Sequence, residues 1–328
     1  MIITKTPLRI PLGGGGTDLP GFYKKYGSFF ISAAIDYYMY LAVKERPIPG
    51  IRLGYSKIEE VNSFEEISHP IIKTCLKYMN VSQKRGLEIV SIGDLPAGSG
   101  MGSSGSFTVG LLNALHHMGK NAVPTHILAE EACHINMDLL REPSGKQDEY
   151  IAAYGGIMCF EINKQGKVKA YPLRISFQTT SSLQNNLLMF YTGICRSANQ
   201  VLVKQKEGTV ENDSEMLSNL KKIQEIGYEI KKALETGNTT LFGKLLDKHW
   251  RVKRKREAAT TSQIDKWYEL AIKNGALGGK IMGAGGGGFF AFYCEDNKEK
   301  LRKALNKAGL DEVRFHFDYE GTKLLVNI

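Results

Sequence analysis

The stretch Leu95-Pro96-Ala97-Gly98-Ser99-Gly100-Met101-Gly102-Ser103-Ser104-Gly105-Ser106 constrains this chain more than any other. It follows a run at 87–92 rich in β-branched and aliphatic residues. It precedes apolar residues at helical spacing, namely Phe107, Leu111, Leu112, Leu115 and Met118. Glycine at alternate positions lets a strand-to-helix loop turn sharply and leaves its backbone N–H groups unobstructed. The start of the following helix adds donors and a partial positive charge. Such a loop suits phosphate, with Ser103 or Ser104 able to reach a magnesium ion beside it. The plainer alternative is a tight turn whose serines cap the helix; three alternating glycines followed by two serines favour phosphate. The loop is not a Walker A motif, because no Gly-Lys-Ser/Thr follows. A formal G-x-G-x-x-G at Gly283, Gly285 and Gly288 runs into the apolar stretch 289–293, which reads as a strand. A dinucleotide fingerprint must open a helix, so a Rossmann reading fails.

Glycine is also the compositional outlier, with 35 in 328 residues, and it is clustered rather than spread, which excludes collagen-like and linker readings. The rest is ordinary for a globular protein: 42% hydrophobic, 23% charged, long enough for two domains. No run approaches the length of a membrane helix, and the first residues lack a signal-peptide layout. Five scattered cysteines form no C-x-x-C pair, which fits a reduced cytoplasmic chain without a structural zinc site. The net charge of +9 suits phosphorylated small molecules as well as nucleic acid. No interleaved aromatics or known module support nucleic acid.

Strands are expected at 37–44, 51–55, 87–92, 155–162, 168–173, 187–191 and 289–294, with two more closing the chain. Helices are expected at 69–79, from 103, at 124–140, 196–206, 212–235, 240–257, 262–274 and 297–308. The mixture without steady βαβ alternation favours α+β. The polar, aperiodic stretch 176–186 reads as the least structured, and a domain boundary is expected near it, dividing 1–178 from 179–328.

Two further glycine clusters stand at Gly13-Gly14-Gly15-Gly16-Thr17-Asp18 and at Gly283-Ala284-Gly285-Gly286-Gly287-Gly288, each implying close approach of backbone to ligand or backbone. Asp148, in Gly145-Lys146-Gln147-Asp148-Glu149-Tyr150, is on local grounds most simply the N-cap of a short helix through Tyr154. Taken together, these residues resemble the GHMP kinases. The loop from Pro96 to Ser104 matches the family's P-x-G-x-G-x-G-S-S signature at every specified position. The stretch from Pro7-Leu8-Arg9-Ile10 to Gly-Gly-Thr-Asp and the late glycine run match its other two motifs in order. Within the family the chain is similar to the sugar-1-kinase branch that includes heptose 7-phosphate kinase and the fucokinases. That likeness rests on GGGTDLP at 14–20, GKQDEYIAAYGG at 145–156, YTGICRSA at 191–198 and ALGGKIMGAGGGG at 276–288.

The resemblance implies a ribosomal-protein-S5-like N-terminal domain, a ferredoxin-like C-terminal domain and an active site between them. It implies that Pro96, Gly98, Ser99, Gly100, Met101, Gly102, Ser103 and Ser104 bind the ATP phosphates, Ser104 also reaching Mg2+. Asp148 is then the catalytic base toward a sugar hydroxyl. Arg9 stabilises the transferring phosphoryl group and holds the aspartate ionised. Gly15, Gly16, Thr17, Asp18, Lys146, Gly285 and Gly286 are the expected substrate contacts. The implied reaction is ATP-dependent phosphorylation of the anomeric hydroxyl of D-glycero-D-manno-heptose 7-phosphate. An unphosphorylated sugar such as fucose is the alternative, and a non-catalytic sugar and nucleotide sensor is the alternative of another class. The implied partner is a small sugar phosphate, not nucleic acid or membrane, with a homodimer left open.

One position departs from the pattern. Relatives carry a magnesium-binding glutamate seven residues before the proline of the aspartate motif, and counting back from Pro143 reaches Asn136. Asparagine offers a carbonyl oxygen without charge. Asp138 lies about 200° round a helix from it, and Glu131 is also poorly phased. The carboxylate ligand is therefore open, with Asn136 the residue in its place. For a phosphate already on the substrate, Arg196 is the first candidate contact. The run Arg251-Val252-Lys253-Arg254-Lys255-Arg256 is the second, set against its reading as a solvated helix face.

Overall fold

A computed structural model describes residues 1–194, 203, 207–209, 213–256 and 260–328. Its first sheet is built on two long neighbours, β1 (Ile2–Gly13) and β2 (Ser28–Arg46), joined through the helix α1 (Pro20–Tyr26). The strands β3 (Ile51–Gly54), β4 (Ile58–Val61), β5 (Gly86–Gly93), β6 (Ile157–Ile162) and β7 (Val168–Pro172) complete one side of it. β2 is long enough to serve two partners: its first part pairs antiparallel with β6, from Ser28 opposite Ile162 to Ala33 opposite Ile157. Its last part pairs with β5, from Met39 opposite Gly93 to Arg46 opposite Gly86. The helices α2 (Pro70–Tyr78), α3 (Ser103–Met118), α4 (Thr125–Cys133) and α5 (Gln147–Tyr154) cover one face. They bury a core that includes Leu41, Val43, Leu53, Leu111, Leu115, Ala132 and Phe160.

The second sheet orders as β11–β8–β10–β9, from β8 (Leu187–Tyr191), β9 (Gly278–Ile281), β10 (Phe289–Tyr293) and β11 (Asp311–Val313). Successive side chains of a strand face opposite ways, and here both faces are covered. Phe289, Ala291 and Tyr293 enter a core shared with Leu8, Ile10, Phe29 and Ile31 of the first sheet. Phe290 and Phe292 enter a separate core with Trp250, Trp267 and Tyr268. That double burial explains the unbroken apolar run of β10. The helices α6 (Phe177–Asn186), α7 (Ser214–Glu235), α8 (Thr239–Lys253), α9 (Ser262–Lys273) and α10 (Lys298–Lys307) belong to this half of the chain. A last strand, β12 (Lys323–Asn327), returns to the first sheet and pairs antiparallel with β1. The α+β class expected from the pattern of elements holds.

Three expectations change. The stretch 176–186 is not irregular: Ser176 caps α6 by accepting from the Thr179 amide at 3.1 Å. Only Thr179 and Leu183, one turn apart, are buried, too little apolar periodicity to read in sequence. The boundary expected at 178/179 falls inside this helix, and β12 carries the end of the chain back across it. Second, β2 begins nine residues before the expected 37, because its first eight residues are all buried and show no alternation. Third, the helix expected over 124–140 is regular only to Cys133 and continues as a π-helical turn, His134–Leu139. A wider turn changes which side chains face inward. The expected helix at 196–206 lies largely outside the described residues.

What fixes the two halves against each other is backbone touching backbone. The loop before α3 and the turn between β9 and β10 meet so closely that a Cβ on Gly283 would stand 2.6 Å from the Gly100 carbonyl oxygen, and one on Gly288 2.2 Å from that of Ser99. Gly288→Ala is therefore expected to lower the thermal midpoint by several degrees. The left-handed backbone contributes about 1–2 kcal/mol and the lost contact adds to it. Gly309 has the same φ of 86° with nothing within 4 Å, so Gly309→Ala measures the backbone part alone. Equal losses in the two variants, followed by calorimetry, would show that the loop contact contributes nothing.

Candidate active site

The loop between β5 and α3 places its residues alternately. Ser99 and Met101 are fully buried, whereas Gly98, Gly100 and Gly102 face a cavity of about 350 Å³. All three glycines have left-handed φ, 76°, 77° and 80°, a conformation that disfavours any side chain. Gly102 begins α3 with no side-chain cap, so the serine-cap alternative fails and the helix's first amides are left to the cavity. Glycine also lets neighbours close in: a Cβ at Gly102 would lie 3.1 Å from Arg9 Cγ, and one at Gly105 2.8 Å from Asp148 Cβ.

Arg9 comes from β1, where its amide donates to the Met101 carbonyl at 3.1 Å. Its guanidinium grips Asp148 with both arms, Nε to Oδ1 at 2.7 Å and Nη2 to Oδ2 at 2.8 Å. This fork-on-carboxylate geometry fixes the plane of the acid as well as its place. Arg9 is nearly buried, while the Asp148 side chain keeps 32% of its surface open. Asp148 lies inside the first turn of α5 rather than capping it. The capping falls to Asp18, whose Oδ2 accepts from the Gln147 amide at 3.0 Å and which also lines the cavity. Burial pushes the Asp18 carboxyl up from its usual range.

On the side of the second sheet the cavity is lined by His249 and Lys253 of α8, Arg256 just beyond it, and Lys280 of β9. Lys253 donates to the carbonyls of Ile281 and Gly283, at 3.0 and 2.6 Å, and Arg256 Nε to Asn219 Oδ1 at 2.9 Å. None of these acceptors is a carboxylate. Burial, reinforced by the neighbouring cations, drives Lys253 well below the usual lysine range and His249 well below the usual histidine range. Burial and the nearby Arg9 and Arg256 charges bring Lys280 down to about 7, and burial alone brings Arg256 down to about 10. A buried cluster of basic groups with no carboxylate partner among the described residues is a site shaped for a polyanion.

The pattern "GHMP kinases N terminal domain" matches residues 70–156 and "GHMP kinases C terminal" residues 230–311. The chain is 30% identical to D-glycero-alpha-D-manno-heptose 7-phosphate kinase of Campylobacter jejuni, over 98% of each chain. The chain belongs to the GHMP kinase family. It is accordingly a sugar kinase, a phosphotransferase whose acceptor is an alcohol group. It is also 24% identical to L-fucokinase/L-fucose-1-P guanylyltransferase of Bacteroides fragilis, over 92% of this chain and 36% of that larger protein. Among solved structures, a D-glycero-D-manno-heptose 1-phosphate kinase from Bacteroides thetaiotaomicron has the same fold, with a TM-score of 0.82, 24% identity and full coverage of both chains.

Against this GHMP kinase frame, the cavity gathers Arg9, Gly15, Gly16, Asp18, Gly98, Gly100, Gly102, Ser103, Ser104, Asn136 and Asp148 from the residues singled out in the sequence. Several others lie elsewhere. Thr17 is fully buried and bonded to the Gly14 carbonyl and the Ser28 hydroxyl, away from the cavity. Lys146 directs its ammonium to Glu130 and the Gly166 carbonyl. Pro96 is exposed at the start of the loop, and Ser99 and Met101 anchor it inward. Gly283 and Ala284, rather than Gly285 and Gly286, line the cavity from the late glycine turn. Arg196 lies outside the described residues.

The basic run at 251–256 divides. Arg251 pairs with Asp247 at the surface, and Arg254 stands near Glu269, whereas Lys253 and Arg256 face inward with His249. The spacing of 249, 253 and 256 is that of one helical face, a signal that counting charge along the run conceals.

The unfolded chain keeps a proton on lysine to about pH 10.5, and folded Lys280 loses it near 7. Between those values the unfolded state binds more protons, so stability rises with pH. Lys280→Met removes this dependence. The ligand-free variant is expected to melt above wild type at pH 6–7, with the gap closing toward pH 10. Thermal midpoints across that range check it, and a constant gap would contradict the assignment.

Proposed function

We propose that this sugar kinase transfers the γ-phosphoryl group of ATP to the anomeric hydroxyl of D-glycero-D-manno-heptose 7-phosphate. The observation that carries the reading is the buried cluster of Lys253, Arg256 and Lys280 on the cavity wall, in which Lys253 and Arg256 are held by carbonyl and amide oxygens and none of the three has a carboxylate partner among the described residues. An acceptor that already bears a phosphate brings the negative charge such a wall lacks. The near-full-length likeness to a heptose 7-phosphate kinase supports the same substrate.

In this reading the amides of Gly98, Gly100 and Gly102 and the uncapped start of α3 cradle the nucleotide phosphates. Asp148 accepts the proton of the attacking hydroxyl and, held by Arg9, keeps that oxygen aimed at the γ-phosphate. Arg9 faces the charge that develops on the transferring group. Asp18, fastened to the start of α5, presents its remaining acceptor capacity toward the sugar. The site fits magnesium: Ser104 lines the cavity and is exposed, and a buried oxygen of Glu149 has no hydrogen-bond partner among the described residues. Among the described residues no three His, Cys, Asp or Glu side chains are grouped to hold a metal, so the protein would share the ion with phosphate oxygens. When bound, magnesium neutralises charge on the β- and γ-phosphates.

The second reading, an unphosphorylated acceptor such as fucose, draws on the likeness to the fucokinases. ADP release with Mg-ATP separates the two. Turnover is expected with heptose 7-phosphate and not with heptose, mannose, fucose or galactose; turnover on a neutral sugar alone would discard the phosphate argument. Asp148→Asn should lower kcat by about 10² to 10⁴ with ATP binding retained, and near-wild-type turnover would remove Asp148 from the mechanism.

A further inference from the structure

We propose that Glu149, and not residue 136, supplies the carboxylate ligand of the magnesium ion, while Asn136 positions that carboxylate. The assignment rests on the kinase reading above and goes beyond it, since the residue standing in the expected place has no charge.

Glu149 follows Asp148 in the first turn of α5 and lines the same cavity, with only 2% of its surface exposed. Its Oε1 accepts from Asn136 Nδ2 at 2.7 Å. Its Oε2 is buried and has no hydrogen-bond partner among the described residues. Burying a carboxylate oxygen without a donor is costly, and native structures rarely do so without a function. A hard divalent cation is the group that such an oxygen lacks.

Asn136 is poorly set to be the ligand itself. Its amide spans two neighbours, with Nδ2 given to Glu149 and Oδ1 lying 3.0 Å from Thr108 Oγ1. Thr108 Oγ1 is also 3.0 Å from the Ser104 carbonyl, so Ser104, Thr108, Asn136 and Glu149 form one connected set. Asn136 is buried in the π-helical turn and reaches α5 through this bond to Glu149.

The other nearby carboxylates are engaged. Glu131 bonds His116 at 2.6 Å, Asp138 bonds His134 at 2.8 Å on the surface, and Glu130 holds Lys146. Asp148 is gripped by Arg9 and Asp18 caps α5. Glu142 is the one rival that lines the cavity with no such partner among the described residues.

The test is the affinity of the full chain for a fluorescent ATP analogue, measured in EDTA and in saturating magnesium. Wild type is expected to bind more tightly with magnesium. Glu149→Gln should lose that gain by about tenfold or more, since even outer-sphere partners of a metal are worth 10–100-fold. Its affinity in EDTA should stay at the wild-type value or improve, which also shows that the variant is folded. Returning the charge in Asn136→Glu combined with Glu149→Gln should restore part of the gain, and Glu142→Gln should leave it intact. An undiminished gain in Glu149→Gln, or its loss in Glu142→Gln instead, would overturn the assignment and leave the kinase reading standing. Failure of wild type to bind the nucleotide in either condition would overturn both.

Discussion

Backbone contact between two glycine loops determines where every charge in the cavity stands. Gly100, in the loop before α3, and Gly283, in the turn between β9 and β10, approach within the space of a single methyl group. The first loop is tied to Arg9 through the Met101 carbonyl, and Arg9 in turn holds Asp148. The second turn is tied to Lys253, whose ammonium bonds the carbonyls of Ile281 and Gly283. Acid and cations come from different halves of the chain, yet their separation is set by this one seam. Side chains there would push the sheets apart and open the cavity, which explains glycine on both sides.

Electrostatically, the cavity has two walls of opposite character. Lys253, Arg256, Lys280 and His249 occupy one, all made less basic by burial. Asp18 and Glu149 occupy the other, both made less acidic by burial. Burial pushes the carboxyl of Glu149 up to about 8, with Asp148 adding to it. Among the described residues each wall lacks charge of the other sign at hydrogen-bonding distance, and the Arg9 charge acts on both Asp18 and Lys280. A ligand carrying both phosphates and a divalent cation would satisfy both walls at once. The desolvation that makes each wall unfavourable alone becomes the source of selectivity for that pair.

The phosphate loop was legible because its chemistry is local: glycines at alternate positions ahead of a helix can be read from neighbours in sequence, whereas Asp148 reads locally as a helix cap and takes its role from the family resemblance alone. The α+β class followed equally from the order of elements. Thr17 and Lys146 were not legible, since each belongs to a motif yet turns away, Thr17 to Ser28 and Lys146 to Glu130. Motif membership gives the position of the backbone and leaves the direction of the side chain to packing. Lys253 and Arg256 were visible only as part of a charge run, because their inward face appears when 249, 253 and 256 are taken at helical spacing. Lys280 was hidden in a β-strand beside glycines, with no pattern to mark it.

Asn136 shows the same limit from the other side. An uninterrupted helix over 124–140 predicts the facing of residues 131, 136 and 138 by regular steps, and on that count no carboxylate meets the cavity. The π-helical turn breaks the count at His134. Asn136, buried in that turn, meets Glu149 of a different helix, thirteen positions later in the chain. Charge that seems missing at one position can thus reside on the partner to which that position hydrogen-bonds. An amide paired with a carboxylate keeps one oxygen of the acid fixed and the other open. That division is what a metal ligand requires, and neither residue declares it when its helix is considered alone.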